Sequence, residues 1–184
     1  MTAKNPWQRR GSKLIYSNPW ITVREDDVIT PGGSPGIYGV IETRVATGVV
    51  ALTDDNHIYL VGQYRYPVDE YSWEIPEGGA ELDEDPMAAA QRELREETGL
   101  EAQDWQQLGG EIHLSNCFSA ERGLLYLARG LRQGKAEPDP TEQLQVRKIP
   151  FEECLAMVER GEIKDSLTII GVLRMARLLG SRSV

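Results

Sequence analysis

The stretch that decides the fold is 78–100, which reads GGAELDEDPMAAAQRELREETGL. It predicts one amphipathic helix. Asp85 suits the capping position, Pro86 suits the first helical residue, and Gly99 suits the left-handed residue that ends a helix. We therefore expect a helix that begins at Pro86 and ends next to Gly99.

Three glutamates lie on one side of this predicted helix. At about 100° per residue, Glu93, Glu96 and Glu97 span an arc of about 100° beside an apolar stripe that should face the core. Like charges at this spacing, near the negative end of the helix dipole, weaken a helix. A hard dication such as Mg²⁺ would reverse both penalties, because it prefers carboxylate oxygens. The alternative on helix geometry alone is an exposed face that Arg92 and Arg95 neutralise.

The negative charge of the chain is concentrated around this helix. The net charge is −9, and residues 69–97 hold eleven acidic side chains against two arginines, so this segment accounts for all of it. Clustered carboxylates repel one another, and a bound dication or a solvated acidic surface would each explain the concentration. The acidic excess argues against non-specific nucleic-acid binding.

Composition excludes several classes of protein. No apolar run approaches the roughly 18 residues that span a bilayer, so we expect no membrane partner. The first residues, MTAKNPWQRRGSKL, include no apolar segment, so we expect no secretory signal. Two cysteines, Cys117 and Cys154, are too few for a disulfide framework. We therefore expect a reduced, cytoplasmic protein.

Strands and helices are predicted on both sides of residues 78–100. β-Branched or apolar runs predict strands at 20–30, 37–43, 48–53, 58–66, 72–75, 124–128 and 145–149. We expect the strands 48–53 and 58–66 to form a hairpin, and 76–80 to form a sharp turn back toward the helix. Further helices are predicted at 151–161 and 166–179. This order predicts an α+β protein with an α/β/α sandwich.

The same stretch matches a family pattern at nine positions. The pattern is Gly, five residues, Glu, seven residues, Arg-Glu-Leu, any residue, Glu-Glu, any residue, Gly and an aliphatic residue. The chain therefore resembles the Nudix hydrolases, in register at Gly78, Glu84, Arg92, Glu93, Leu94, Glu96, Glu97, Gly99 and Leu100. The resemblance implies a Nudix fold, Mg²⁺ with Mn²⁺ as a possible substitute, and hydrolysis of a nucleoside diphosphate linked to another group.

The resemblance also implies roles for individual residues. The implied metal ligands are the Glu77 main-chain carbonyl and the side chains of Glu93, Glu96 and Glu97. Glu96 and Arg92 belong to the implied catalytic set, with Arg92 and Glu84 as an orienting ion pair. The implied water-activating carboxylate is Glu142, with Asp139 and Glu137 as alternatives.

Residues outside this stretch are similar to the branch that hydrolyses ADP-ribose and nucleoside diphosphate sugars. That branch implies a small N-terminal antiparallel β domain at 1–43, through which the protein would form a homodimer, and a Nudix domain at 44–184. The segments QYRY at 63–66 and WEIPEGG at 73–79 resemble its substrate-binding strand and the approach to the helix. The implied substrate-binding residues are Arg44, Arg65, Glu74, Ser115 and Glu121.

One segment departs from the pattern of the branch. Where relatives have Ser-Pro-Gly, this chain has Ser115-Asn116-Cys117, and asparagine does not stiffen a loop as proline does. The expected substrate is therefore ADP-ribose or a related nucleoside diphosphate sugar such as GDP-mannose, cleaved to a nucleoside monophosphate and a sugar phosphate. The alternatives are another nucleoside diphosphate derivative, such as a dinucleoside polyphosphate or NADH, and a sensor that binds a nucleotide sugar without cleaving it.

Overall fold

Residues 4–135 and 143–181 are described by the computed structural model, and they divide into two units. Unit 1 contains the chain up to Arg44 together with His113–Arg122. Unit 2 contains Val45–Ile112 and the chain from Gly123 onward.

Unit 1 is built on an antiparallel sheet of β1 (Gln8–Ser17), β2 (Ile21–Ile29) and β3 (Pro35–Thr43), paired in that order. This sheet confirms the predicted N-terminal β structure and the strands predicted at 20–30 and 37–43. Strand β1 is not predicted by the sequence pattern. All ten of its residues are exposed, so no alternation of apolar and polar side chains identifies it in the sequence.

The remaining elements follow in chain order. They are β4 (Ala46–Ala51), β5 (His57–Arg65), a 3₁₀ turn (Tyr66–Val68), β6 (Glu70–Glu74), β7 (Glu77–Gly79), α1 (Pro86–Thr98), β8 (Leu100–Glu101), β9 (Asp104–Gln107), β10 (Ile112–His113), β11 (Arg122–Arg129), β12 (Arg132–Gln133), β13 (Gln145–Pro150), α2 (Phe151–Glu159) and α3 (Ser166–Ser181). In one sheet of unit 2, β4 lies between β11, to which it is parallel, and β7, to which it is antiparallel. A second sheet has the order β13-β5-β6. The three predicted helices are confirmed.

The predicted hairpin between β4 and β5 is wrong. The polar turn forms, with the Thr53 N–H donating to the His57 carbonyl, but only the pair Leu52 and Ile58 bridges the two strands. β4 then continues in one sheet and β5 in the other. Both edges of β4 are already occupied by β11 and β7, so β5 has no free edge with which to pair.

Helices cover both faces of β4. Val49 and Ala51 pack in one cluster with Ala90 and Leu94 of α1. Val50, whose side chain points to the opposite face, lies against α3 at Gly171. Burial on both faces explains why β4 is a continuous apolar run without alternation. This arrangement confirms the predicted α/β/α sandwich.

Among the described residues, no helix is long and apolar enough to cross a bilayer.

The two cysteines differ in burial, which gives a first testable prediction. Cys154 of α2 is fully buried, and this burial raises the pKa of its thiol to about 12, whereas Cys117 is exposed. The Cys154 thiol therefore stays protonated and unreactive at pH 8. We expect iodoacetamide to modify one thiol in the native protein and both in guanidinium, as counted by mass spectrometry. Equal modification rates of both thiols in the native protein would contradict this burial.

Candidate active site

Helix α1 begins and ends as its sequence predicts. The Asp85 carboxylate accepts hydrogen bonds from the N–H groups of Met87 and Ala88. At the other end, Gly99 has φ of 71° and its N–H donates to the Arg95 carbonyl. These caps fix the position of the helix relative to the residues that precede it.

The three glutamates of α1 lie at the edge of its buried face. Ala90 and Leu94 are fully buried, and Glu97 beside them is only 4% exposed. The side chains of Glu93 and Glu96 are 14% and 33% exposed. The exposed-face alternative therefore does not describe Glu97, because a buried carboxylate requires a partner.

Arg92 binds the acidic side chains around it. Its Nε and Nη2 donate to the two carboxylate oxygens of Glu84 at 3.0 and 2.9 Å. Its Nη1 donates to Glu93 at 2.7 Å and to Glu96 at 3.0 Å, and Nη2 also reaches the Gly79 carbonyl at 3.2 Å. These bonds, the pair donated to Glu84 first, raise the pKa of the guanidinium above its ordinary value. Arg92 thus fixes the orientation of two of the three glutamates.

The segment predicted as a sharp turn is instead strand β7, which is a correction to the sequence analysis. Glu77–Gly79 pairs with β4, with Gly48 opposite Glu77. The Val49 N–H bonds to the Pro76 carbonyl, so Glu77 occupies a non-hydrogen-bonded position of this antiparallel pair. Both main-chain groups of Glu77 therefore point away from β4. Its N–H donates to the Glu97 carboxylate at 3.1 Å.

Gly78 is required by a close approach and not by its backbone angles. The described glycines with positive φ are Gly33, Gly99, Gly109, Gly130 and Gly161, and Gly78 is not among them. A Cβ atom on Gly78 would overlap the carboxylate of Glu93. The missing side chain therefore lets Glu93 lie directly against the main chain of β7. Together with the bond from the Glu77 N–H to Glu97, this brings two carboxylates of α1 to residues 77 and 78.

Arg65 and Glu74 form a second ion pair in unit 2. The Arg65 Nε donates to both oxygens of Glu74, at 3.0 and 3.1 Å, and Nη2 donates to Glu74 as well. Nη2 also donates to Glu77 at 3.1 Å. The Glu74 side chain is 4% exposed and that of Arg65 is 37% exposed. One edge of the guanidinium is therefore held by buried carboxylate while part of the side chain remains accessible.

A further acidic cluster, not predicted from the sequence, consists of Glu74, Glu77 and Asp165. One carboxylate oxygen from each lies within 4.8 Å of the others. Burial raises the pKa of Glu77 well above its usual value, and the carboxylates of Asp165 and Glu74 raise it further. Among the described residues, the Glu77 Oε2 atom is buried and accepts no hydrogen bond.

Asp165 reaches this cluster as the cap of α3. Its carboxylate accepts a hydrogen bond from the Thr168 N–H at 2.7 Å, and the Thr168 hydroxyl accepts one from the Ile75 N–H at 2.9 Å. The first turn of α3 is thereby attached to the segment between Glu74 and Glu77. The sequence does predict this cap, since Asp165 followed by Ser-Leu-Thr at the start of an apolar helix is typical of a capping residue.

The other predicted site residues do not belong to the described part of unit 2. Arg44, Ser115 and Glu121 belong to unit 1. There the Ser115 carbonyl accepts from the Ser119 N–H at 2.9 Å, and the Ser119 hydroxyl accepts from the Glu121 N–H at 3.0 Å, so Ser115 and Glu121 share one closed turn. Glu142, Asp139 and Glu137 lie outside the described residues.

Comparison with known families agrees with this geometry. The family model described as NUDIX domain matches residues 42–167, which include both ion pairs and the glutamates of α1. The chain belongs to the Nudix family. A second model, described as nucleoside diphosphate sugar hydrolase N-terminal domain, matches residues 7–41 of this Nudix hydrolase.

Curated relatives of this Nudix hydrolase align over nearly its whole length. An ADP-ribose pyrophosphatase of Mycobacterium tuberculosis is 36% identical over 93% of this chain and 84% of that protein. An ADP-ribose pyrophosphatase of Bacillus subtilis is 32% identical over 86% of each. A methanol dehydrogenase activator of Bacillus methanolicus is 34% identical over 88% of each.

A solved structure supports the fold. The crystal structure of an ADP compounds hydrolase superposes with a TM-score of 0.84 and covers 99% of this chain and 98% of that one, at 19% identity. At this identity the likeness establishes the Nudix fold and no residue roles.

Proposed function

We propose that this Nudix hydrolase cleaves the pyrophosphate bond of ADP-ribose or a related nucleoside diphosphate sugar such as GDP-mannose. The products are a nucleoside monophosphate and a sugar phosphate. The observation that carries the proposal is the approach of two α1 carboxylates, from Glu93 and Glu97, to the main chain of residues 77–78. The names of the relatives and the N-terminal family model favour a nucleotide sugar over other substrates.

The residues at this point fit Mg²⁺ or Mn²⁺. The donors are all oxygens, which hard dications prefer, and Gly78 leaves the space that Glu93 fills. The proposed ligands are the main-chain carbonyl of Glu77 with the side chains of Glu93, Glu96 and Glu97. When bound, the dication neutralises phosphate oxygens and lowers the pKa of a water molecule.

The chain's own residues orient the metal-binding carboxylates and contact the substrate. Arg92 holds Glu93 and Glu96, and the Glu77 N–H holds Glu97, so these carboxylates need little reorganisation when substrate binds. Arg65 offers its accessible guanidinium to a phosphate oxygen, while Arg44, Ser115 and Glu121 are proposed substrate contacts. Most of the rate enhancement then comes from positioning and electrostatics and not from a covalent step.

The proposal is tested by incubating the protein with ADP-ribose, GDP-mannose, NADH and a dinucleoside polyphosphate in Mg²⁺ or Mn²⁺. Products are separated by chromatography, and parallel samples contain EDTA. We expect AMP and ribose 5-phosphate from ADP-ribose, and no reaction in EDTA. Preferred cleavage of NADH or of the dinucleoside polyphosphate would show that a nucleotide sugar is not the preferred substrate. Tight binding of a nucleotide sugar without any turnover would favour a sensor.

Glu142 is proposed to orient and deprotonate the attacking water, with Asp139 and Glu137 as rivals. A group that acts on the water affects the chemical step more than substrate affinity. We therefore expect Glu142→Ala to lower kcat far more than it changes KM, and more than Asp139→Ala or Glu137→Ala does. Steady-state kinetics of the three variants identify the residue. An unchanged kcat in Glu142→Ala, with only a lower Tm, would contradict the assignment.

Two further properties complete the proposal. We infer a homodimer formed through the N-terminal sheet, supported by large apolar side chains exposed on β1, namely Leu14, Ile15 and Tyr16. Sedimentation velocity that shows only a 20 kDa species would contradict it. We also infer a cytoplasmic location, supported by two cysteines that are both free.

A further inference from the structure

We propose that Glu74 is a positioning residue that acts on substrate through Arg65. This inference rests on the proposed function, because it takes Arg65 as a contact to a phosphate oxygen of the substrate. It differs from the role that the family resemblance implies for Glu74, which is that of a direct substrate contact. The structure leaves Glu74 little capacity for such a contact.

Both carboxylate oxygens of Glu74 are engaged by Arg65. The guanidinium edge formed by Nε and Nη2 donates three hydrogen bonds to them. With 4% of its side chain exposed, Glu74 has almost no surface to offer a ligand. A buried carboxylate that loses such a partner is strongly destabilised, so the pair is expected to stay intact when substrate binds.

The strand register explains how the two side chains meet. In the pairing of β5 with β6, Glu74 lies opposite Val61, four residues before Arg65. Side chains alternate along a strand with a period of two, so Arg65 and Glu74 lie on the same face of the hairpin. The long arginine side chain extends back along this face to the buried end of β6. The main chain there is attached to α3 by the bond from the Ile75 N–H to the Thr168 hydroxyl.

The pairing determines which part of Arg65 is available. Nε and Nη2 are occupied by Glu74 and Glu77, whereas Nη1 has no hydrogen bond to any described residue. The guanidinium is planar and rigid, so fixing one edge also fixes the direction of Nη1. With 37% of its side chain exposed, Arg65 can donate from Nη1 to an anionic oxygen. The Glu74 carboxylate thus orients the donor without touching the ligand.

A double-mutant cycle separates this role from a direct contact. The probe is ADP-ribose in EDTA, where calorimetry measures Kd without turnover. We expect Arg65→Ala and Glu74→Gln each to raise Kd by about tenfold or more. We expect the double variant to bind no more weakly than Arg65→Ala alone, because Glu74 acts only through Arg65. The matched control is Glu70→Gln, since Glu70 lies opposite Arg65 on β6 but is exposed and pairs with Lys164. It should bind as the wild type does.

Other outcomes overturn the proposal. Additive losses in the double variant would mean that Glu74 contacts the ligand directly. A lower Tm in Glu74→Gln with unchanged Kd would mean a purely structural pair. If Glu74→Gln does not fold, Arg65→Lys serves instead, since it keeps the charge but loses the planar edge; wild-type Kd in that variant would also overturn the proposal. Wild-type turnover in Mg²⁺ is measured separately, and its absence counts against the proposed function alone.

Discussion

Replacing Glu97 with glutamine should lower kcat by about 10³-fold, which corresponds to about 4 kcal/mol of transition-state stabilisation. Glu97 is buried, and its carboxylate accepts the hydrogen bond from the Glu77 N–H. Glutamine is isosteric and its amide oxygen can keep this bond, so the local fold should survive. The negative charge that binds a dication is lost. The expected result is a folded protein with very low Mg²⁺-dependent turnover.

Thermal melts distinguish this loss from simple destabilisation. A ligand that binds the folded state raises Tm, so the wild type should gain stability on addition of Mg²⁺ or Mn²⁺ and Glu97→Gln should gain much less. In EDTA the two proteins should melt at similar temperatures. Glu101→Gln is the matched control, because Glu101 is an exposed acid just beyond the same helix. Full Mg²⁺-dependent turnover in Glu97→Gln would show that Glu97 is not a ligand.

The second large effect is expected from Gly78→Ala. The added Cβ overlaps the Glu93 carboxylate, so either β7 or Glu93 must move. The overlapping atoms are the end of a flexible side chain, so the Glu93 carboxylate can swing aside at little cost in stability. A displacement of about 1 Å at a catalytic group can nevertheless lower the rate about 10²-fold. We therefore expect kcat to fall about 10²-fold while Tm changes little, measured by steady-state kinetics and calorimetry.

A second glycine in the same unit provides the control for this variant. A Cβ atom added to Gly110 would meet nothing within 4 Å beyond its chain neighbours, and Gly110 has no positive φ. Gly110→Ala should therefore change stability by no more than about 0.5 kcal/mol. Shortening the acid by Glu93→Asp in the Gly78→Ala background makes room for the Cβ but withdraws the carboxylate, so kcat should not recover. Wild-type kinetics in Gly78→Ala would show that the close approach of Glu93 to β7 is not needed for activity.

Local signals in the sequence are enough to predict α1 and its glutamates. The capping residues Asp85 and Gly99 act within one turn of the helix, and the position of Glu97 beside Leu94 follows from helical geometry. The charge cluster indicates that these acids need a counterion, and Arg92, which the sequence already offers as one, binds Glu93 and Glu96 in the structure. This part of the site depends on contacts between residues close in sequence.

The features that sequence reasoning misses depend on distant pairing. Two adjacent glycines are typical of turns and predict one at Glu77–Gly79, yet the partner strand β4 holds this segment as a strand. The predicted hairpin between β4 and β5 fails for the same reason, since the edges of β4 are taken by strands remote in sequence. Asp165 joins Glu74 and Glu77 only because α3 returns to the end of β6. No local sequence pattern predicts these long-range contacts.

Hard dications should bind between α1 and β7 and not at the cluster of Glu74, Glu77 and Asp165. Arg65 already occupies both oxygens of Glu74 and one of Glu77, so a cation there would have to displace a guanidinium. The most direct measurement is anomalous diffraction from a crystal soaked with Mn²⁺ and a non-hydrolysable analogue of ADP-ribose. We expect manganese peaks coordinated by Glu93, Glu97 and the Glu77 carbonyl. Peaks only among Glu74, Glu77 and Asp165, or no peak at all, would contradict it.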